Sequence, residues 1–338
     1  MHMADALVAP VVAGTMYVCS TAAAGYSIKK VKETDEIKKV PVMGVMGAFV
    51  FAAQMINFTI PGTGSSGHLC GGMLISAILG PYAGFITMTG VLLIQCLLFA
   101  DGGLLALGCN VWNMAFYGCF IGCFLIWKWI MRNGMNKKKI AAASVLGCVL
   151  TLQLGSCSVV LETTASEITE LPFLAFIAVM QPIHLAIGLV EGVITALVLS
   201  FVYEARPELL WRGNASELHI GKEGRLTYRK TIGMIAVLTL IVAGVLSLYA
   251  SAFPDGLEWS IAKITGSAEI ENNEGIYGLA AKIQEITALL PDYSFRTSDS
   301  AAGTSFSGMI GGIAVIVFSI VVGKIVRMLQ KKKVKTDE

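Results

Sequence analysis

The chain has 338 residues, 55% of them hydrophobic and only 14% charged, with a formal net charge of +2. A soluble protein carries closer to about a quarter charged residues, so the composition excludes an ordinary soluble enzyme and points to a membrane. The small net charge gives no footprint for nucleic acid, and no basic leader of the secretory type opens the chain.

Apolar runs long enough for a bilayer, which takes about 20 residues each, follow one another. The first span is predicted over 7–28 and the second over 41–60, closed by Pro61 and a Gly/Ser loop ending at His68. Residues 69–81 form a short apolar piece ending at Gly80-Pro81. A span over 82–100 then leads to the turn Asp101-Gly102-Gly103. Further spans are predicted over 105–131, 140–161 and 173–203, the last interrupted by Pro182. A polar linker, 204–230, precedes two final spans, 231–252 and 306–326, with the polar segment 253–305 between them.

Basic residues orient these spans. Four stretches, Lys29–Lys39, Lys128–Lys139, Arg206–Lys230 and Lys324–Lys335, hold 22 of the 25 Lys and Arg. Positive charge marks the cytoplasmic side, so the N-terminus is expected outside and the C-terminus inside. Parity then requires 69–81 to cross as well, as a short helix surrounded by protein rather than lipid. The expected fold is an all-α integral membrane protein with nine spans, seven in a first bundle and two beyond it. This topology places Met1, His2 and His68 on one side.

Those three residues carry the sharpest chemistry. An unblocked Met1 offers its amine, the Met1–His2 peptide a backbone nitrogen and His2 its imidazole, closing one five-membered and one six-membered chelate ring. His68 is the best candidate for a fourth nitrogen. A tetragonal all-nitrogen site favours nickel(II) or copper(II) over zinc, magnesium or calcium. The bland alternative is a start methionine followed by a surface histidine. Cys70, two residues past His68, is a weaker candidate ligand. Most of the eight cysteines lie in apolar runs, where Cys packs as a small hydrophobe. Polar residues at bilayer depth tend to be functional. Here they include Gln54, Gln95, Asn110, Asn113, His184 and Glu191. Asn110 and Asn113 follow the Asp101 turn and are placed to orient a ligand. His184 and Glu191 share a helix face, either as a second ion site or proton relay, or as interhelical hydrogen bonds. Gly44, Ala48 and Ala52 form a small-residue stripe that permits close helix contact, within the chain or with a partner. No Walker-type phosphate loop, HExxH pattern or Ser/His/Asp grouping is present, so neither ATP hydrolysis nor hydrolase chemistry is expected of this chain.

Several motifs together resemble the CbiM/NikM family. They are Met1-His-Met-Ala-Asp-Ala6, Gly62-Thr-Gly-Ser-Ser-Gly-His-Leu69, Leu98–Leu104, Leu107–Met114 and the stretch His184–Thr195. These are substrate-binding membrane components of energy-coupling-factor transporters for cobalt and nickel. The resemblance runs over residues 1–203. Residues 231–330, with Pro254-Asp-Gly-Leu-Glu258 echoed by Pro291-Asp-Tyr293, resemble the small PDGLE (NikN/CbiN-like) partner, here fused. The resemblance implies that Met1, His2 and His68 ligate transported Ni2+ or Co2+, with Asp101, Asn110, Asn113 and Cys70 as surrounding candidates and no organic cofactor. It implies a location in the cell membrane and a coupling protein of the CbiQ/NikQ type, docked on Gly44, Ala48 and Ala52. It also implies two cytoplasmic ATPases of the CbiO/NikO type. The usual family start, Ile-Pro-Asp-Gly after Met-His, is here Met3-Ala4-Asp5-Ala6. An ATPase-independent metal channel or membrane sensor is the alternative. An intramembrane metalloenzyme is disfavoured, because no nucleophile or general base accompanies the ligands.

Overall fold

The computed structural model describes residues 1–33, 39–213, 224–268, 270, 272, 274–296 and 301–336. Parts of the basic stretch 29–39, of the linker 204–230 and of the segment 253–305 lie outside the described residues. The first bundle contains α1 (Pro10–Glu33), α2 (Val40–Gln54), α3 (Gly72–Leu79) and α4 (Pro81–Phe99). It is completed by α5 (Leu107–Met131), whose middle, Val111–Trp127, is π-wound, and by α6 (Lys137–Ser166) and α7 (Phe173–Ala205). The remainder supplies α8 (Tyr228–Gly244), two short helices α9 (Gly256–Thr265) and α10 (Gly275–Thr287), and α11 (Ala301–Thr336). Seven helices among the described residues are long and apolar enough to cross a membrane. Their apolar outer faces, including Val11, Leu174 and Leu197, remain exposed, as lipid-facing surfaces do. This is a multi-pass membrane protein.

Two predicted spans come out short. The helix expected over 41–60 stops at Gln54, and the chain turns into a hairpin of β1 (Phe58–Ile60) and β2 (Ser65–Gly67), with Phe58 opposite Gly67. Gln54, the last residue of α2, is buried, and its Nε2 donates to the Cys70 carbonyl at 2.8 Å. α3 has eight residues, all buried, and left-handed glycines bound it, Gly71 at φ +79° and Gly80 at φ +86°. Such a stub is sustained because its neighbours are protein rather than lipid. α7 runs continuously through Pro182, without the interruption that proline suggested.

Glycines set the tightest helix contacts. A Cβ on Gly192 would stand 2.6 Å from the Val145 Cα, and one on Gly188 3.0 Å from the Val149 Cα, so α7 lies backbone to backbone on α6. The stripe of Gly44, Ala48 and Ala52, expected to dock a coupling protein, is buried, and α11 of the same chain lies along it. A Cβ on Gly44 would stand 3.5 Å from the Ile316 Cα, and one on Gly312 3.6 Å from the Ala48 Cβ. Small residues on both helices let them close on each other, so the contact made by this stripe here is within the chain.

Candidate metal centre

The site is built on an N-terminal segment that is threaded into the protein. Met1 is 5% and Met3 0% exposed, although a chain end is ordinarily frayed and solvated. Asn110 on α5 grips the Met3 peptide from both sides. Its Oδ1 accepts from the Met3 N–H at 2.7 Å, and its Nδ2 donates to the Met3 carbonyl at 3.1 Å. The Gly103 N–H donates to the same carbonyl at 2.9 Å. Gly102, at φ +80°, leaves room for both neighbours: a Cβ there would stand 2.8 Å from the Asn110 Nδ2 and 3.2 Å from the His2 Cβ.

This threading brings the Met1 amine 2.8 Å from the His68 Nε2, across 67 positions of sequence. The His2 and His68 rings stack 5.2 Å apart and 20° from parallel. The hydrogen-bonding network determines which ring nitrogens are bare. The His68 Nδ1 lies 3.0 Å from the Leu69 carbonyl; a carbonyl only accepts, so Nδ1 carries the proton and Nε2 faces the amine with its lone pair. For His2 the assignment runs through two glutamines. The Cys70 carbonyl accepts from the Gln54 Nε2, the Gln54 Oε1 accepts from the Gln95 Nε2 at 2.9 Å, and the Gln95 Oε1 lies 3.2 Å from the His2 Nε2. The His2 Nε2 therefore donates, and Nδ1 is the nitrogen left for other use, the one that closes a six-membered ring with its own backbone nitrogen. Nδ1 stands 3.1 Å from the Asp101 Oδ1. Burial holds the ring's pKa down, to about 4, against the pull of Asp101. A neutral ring and a carboxylate there are two facing acceptors, which repel until a cation is shared between them.

Asp255 is the residue that sequence reasoning missed. Its Oδ2 accepts from the Met1 amine at 2.5 Å and lies 3.7 Å from the His68 Nε2. Its Oδ1 caps α9, accepting from the Leu257 and Glu258 amides, while the Glu258 carboxylate reaches back to the Asp255 N–H. The legible signal was the capping-box spacing of Asp255 and Glu258, which announces a helix start but not its neighbour. Burial works to lower the amine's pKa, but Asp255 prevails and holds it above the ordinary 8.0. Burial likewise works to raise the Asp255 pKa, and the protonated amine beside it brings it well below 3.8.

The other expected residues fall around this centre in different roles. Asp101 accepts from the Tyr293 hydroxyl through Oδ2 while Oδ1 faces His2. Asn113 does not reach the segment's backbone; its Nδ2 donates to the Glu162 Oε2 at 2.6 Å and lies 3.5 Å from the Met3 Sδ. Cys70 is buried beside His68, its N–H held by the Glu191 Oε2 at 2.9 Å. Glu191 binds the Gly71 N–H with its other oxygen at 2.9 Å, so it organises the loop and does not pair with His184. An open cavity of about 610 Å³ lies over the centre, lined by His2, His68, Asp101, Asp255, Glu258 and Tyr293 among others. Residues 253–268 and 274–296 wall it on one side: the Pro254 carbonyl accepts from the Ser66 N–H, the Gly102 carbonyl from the Gln284 Nε2, and the Thr63 carbonyl from the Trp259 Nε1. Among the described residues no three His, Cys, Asp or Glu side chains form a metal-binding cluster. A donor set here draws on main-chain nitrogen as much as on side chains.

Residues 2–209 match the family described as the cobalt uptake substrate-specific transmembrane region, CbiM, and residues 229–328 match the PDGLE domain. The chain belongs to the CbiM family. A "putative fused nickel transport protein NikMN" of Archaeoglobus fulgidus is 36% identical over 318 residues, covering 94% of this chain and 96% of the relative. The "cobalt transport protein CbiM" of Geobacter sulfurreducens is 26% identical over 251 residues, covering 72% of this chain and 70% of the relative. A crystal structure described as a transition metal transporter is 29% identical, with a TM-score of 0.55 over 65% of this chain and 100% of that one. Proteins of the CbiM family are cobalt and nickel transport proteins.

Proposed function

We propose that this chain captures a divalent transition metal ion, Ni2+ foremost and Co2+ next, outside the cell membrane, and carries it inward as the substrate-specific subunit of an energy-coupling-factor transporter. The ligands are the Met1 amine, the Met1–His2 peptide nitrogen, the His2 Nδ1 and the His68 Nε2. The observation that carries the reading is the buried Met1 amine 2.8 Å from the His68 Nε2. Fusion to a PDGLE module and the fused nickel protein of Archaeoglobus fulgidus support nickel first. A planar set of four nitrogens suits it as well.

In this reading residues 1–203 are the metal-binding unit, 204–230 a cytoplasmic linker, and 231–330 a module whose outer segment covers the mouth. Asn110 and the Gly102–Gly103 turn position the terminus. Asp255 neutralises the protonated amine until the ion displaces its proton. A transmembrane coupling protein and two ATPases supply the energy.

The test is uptake of radioactive nickel by the assembled transporter carrying His2→Ala, or one extra residue ahead of Met1. Both changes abolish uptake while the protein remains folded by thermal melting. Wild-type uptake by the extended chain rejects the terminal chelate.

A further inference from the structure

His184 sits twelve residues into α7 and has a ring nitrogen that the capture site does not use. Its Nδ1 lies 2.8 Å from the Met180 carbonyl, which only accepts, so Nδ1 carries the proton and Nε2 a bare lone pair. That Nε2 is buried and has no hydrogen-bond partner among the described residues, and His184 as a whole is 1% exposed. A buried acceptor left unpaired is destabilising, and in a native protein it calls for an explanation.

The explanation lies in what the ring adjoins. His184 lines a small gap of about 10 Å³ together with Met1, His68, Cys70, Asp255 and Gly256. His68 and Asp255 also line the large outer cavity, so these two residues form the partition between mouth and gap. Gly256 keeps the gap open: a Cβ there would stand 3.3 Å from the His184 Nε2 and 3.1 Å from its Cε1. At this size the gap takes a single water-sized particle, so a bare ion fits and a hydrated one does not. An imidazole with its second nitrogen tied to a carbonyl is the usual arrangement of a metal-binding histidine.

We propose that the His184 Nε2 is an inner metal ligand, to which an ion captured by the terminal nitrogens passes while the His68 Nε2 stays bound. The inference rests on the capture reading above. In the exchange the amine and the peptide nitrogen take protons back from water in the mouth as they and the His2 Nδ1 leave the ion, and the His184 Nε2 joins the His68 Nε2 on it. The ion thereby moves from the mouth to the side of α7 without re-entering water. His184 thus acts in passage and not in capture.

The experiment measures nickel binding by titration calorimetry on the full chain, and radioactive nickel uptake by the assembled transporter in proteoliposomes. It compares wild type, His184→Gln, Gly256→Ala and His2→Ala. Gly256→Ala keeps the His184 imidazole in the sequence and sets a methyl group against it in the gap. Both His184→Gln and Gly256→Ala are expected to lower uptake at least tenfold while the dissociation constant for capture stays within twofold of wild type. That retained capture also shows the variants are folded. Uptake within twofold of wild type in both overturns the inner ligand, leaving water as the gap's occupant. Loss of capture together with uptake in both overturns it as well, because the ring would then belong to the outer site or to the fold. Undiminished capture by His2→Ala overturns the capture reading instead.

Discussion

Gly103→Ala tests the threaded terminus most directly. A Cβ at 103 would stand 1.9 Å from the Asp5 Oδ1 and 2.4 Å from the Asp5 backbone nitrogen. The carboxylate can swing aside, but the backbone nitrogen moves only if the whole segment moves. Met1 and Met3 are buried to 5% and 0% exposure, worth about 1.5–3 kcal/mol each. The Met3 peptide adds bonds to Asn110 and Gly103, at about 1 kcal/mol apiece. Opposing these is the ordering of the segment's backbone, about 1–2 kcal/mol per residue. A clash that breaks the three Met3 bonds removes about 3 kcal/mol of docking. Losing about 3 kcal/mol of docking weakens nickel binding about a hundredfold. Titration calorimetry on the folded variant reads the affinity, and acylation of the Met1 amine reads its exposure. Binding within threefold of wild type, with the amine still protected, would refute the threaded geometry.

Asn110→Ala leaves the buried Met3 N–H unpaired at a cost of about 1–3 kcal/mol, so nickel affinity should drop about ten- to a hundredfold in the same titration. Because the amine's pKa is raised above 8.0, its contribution to docking of the metal-free terminus is complete below pH 8. That contribution is lost as pH rises through the folded value. Nickel must displace that proton, so apparent affinity should climb about tenfold per pH unit for each proton released; an affinity unchanged between pH 6 and 8 contradicts this. In Asp255→Asn the amine loses the carboxylate that chiefly offsets burial and its pKa falls, so fewer protons should be released per nickel bound at pH 7. Calorimetry in buffers of different ionisation enthalpy counts them. Gly192→Val drives a side chain into the Val145 backbone of α6 and should destabilise the bundle by about 1–3 kcal/mol, read as a lower melting temperature.

The long helices were legible because twenty apolar residues in a row have few other uses. α2 and the hairpin were less so: the run 41–60 is apolar apart from Gln54, Asn57 and Thr59, and no proline or glycine between 54 and 60 marks the end of the helix. Three-residue strands leave no periodic trace. Met1, His2 and His68 could be singled out because chelate geometry is local to the first two residues. Asp255 stands 254 positions from the amine it pairs with, and its spacing to Glu258 speaks only for a helix cap. The Gln54–Gln95 relay was visible as two polar residues at bilayer depth, while its direction depends on a carbonyl that only the fold brings close. The stripe at Gly44 announced close contact with something. That α11 is the something follows from Gly312 and Ile316, far along the chain.

Glu191 deserves a mechanical reading. It grips the amides of Cys70 and Gly71, and one turn above it Ile187 presses on Gly67, so α7 is fastened to both flanks of His68. From Glu191 to the helix end at Ala205 is about 21 Å at 1.5 Å per residue. A force tilting that far end pivots the rod, and the imidazole follows with its loop. The rod is thus a crank whose handle lies some four turns from the imidazole that it moves.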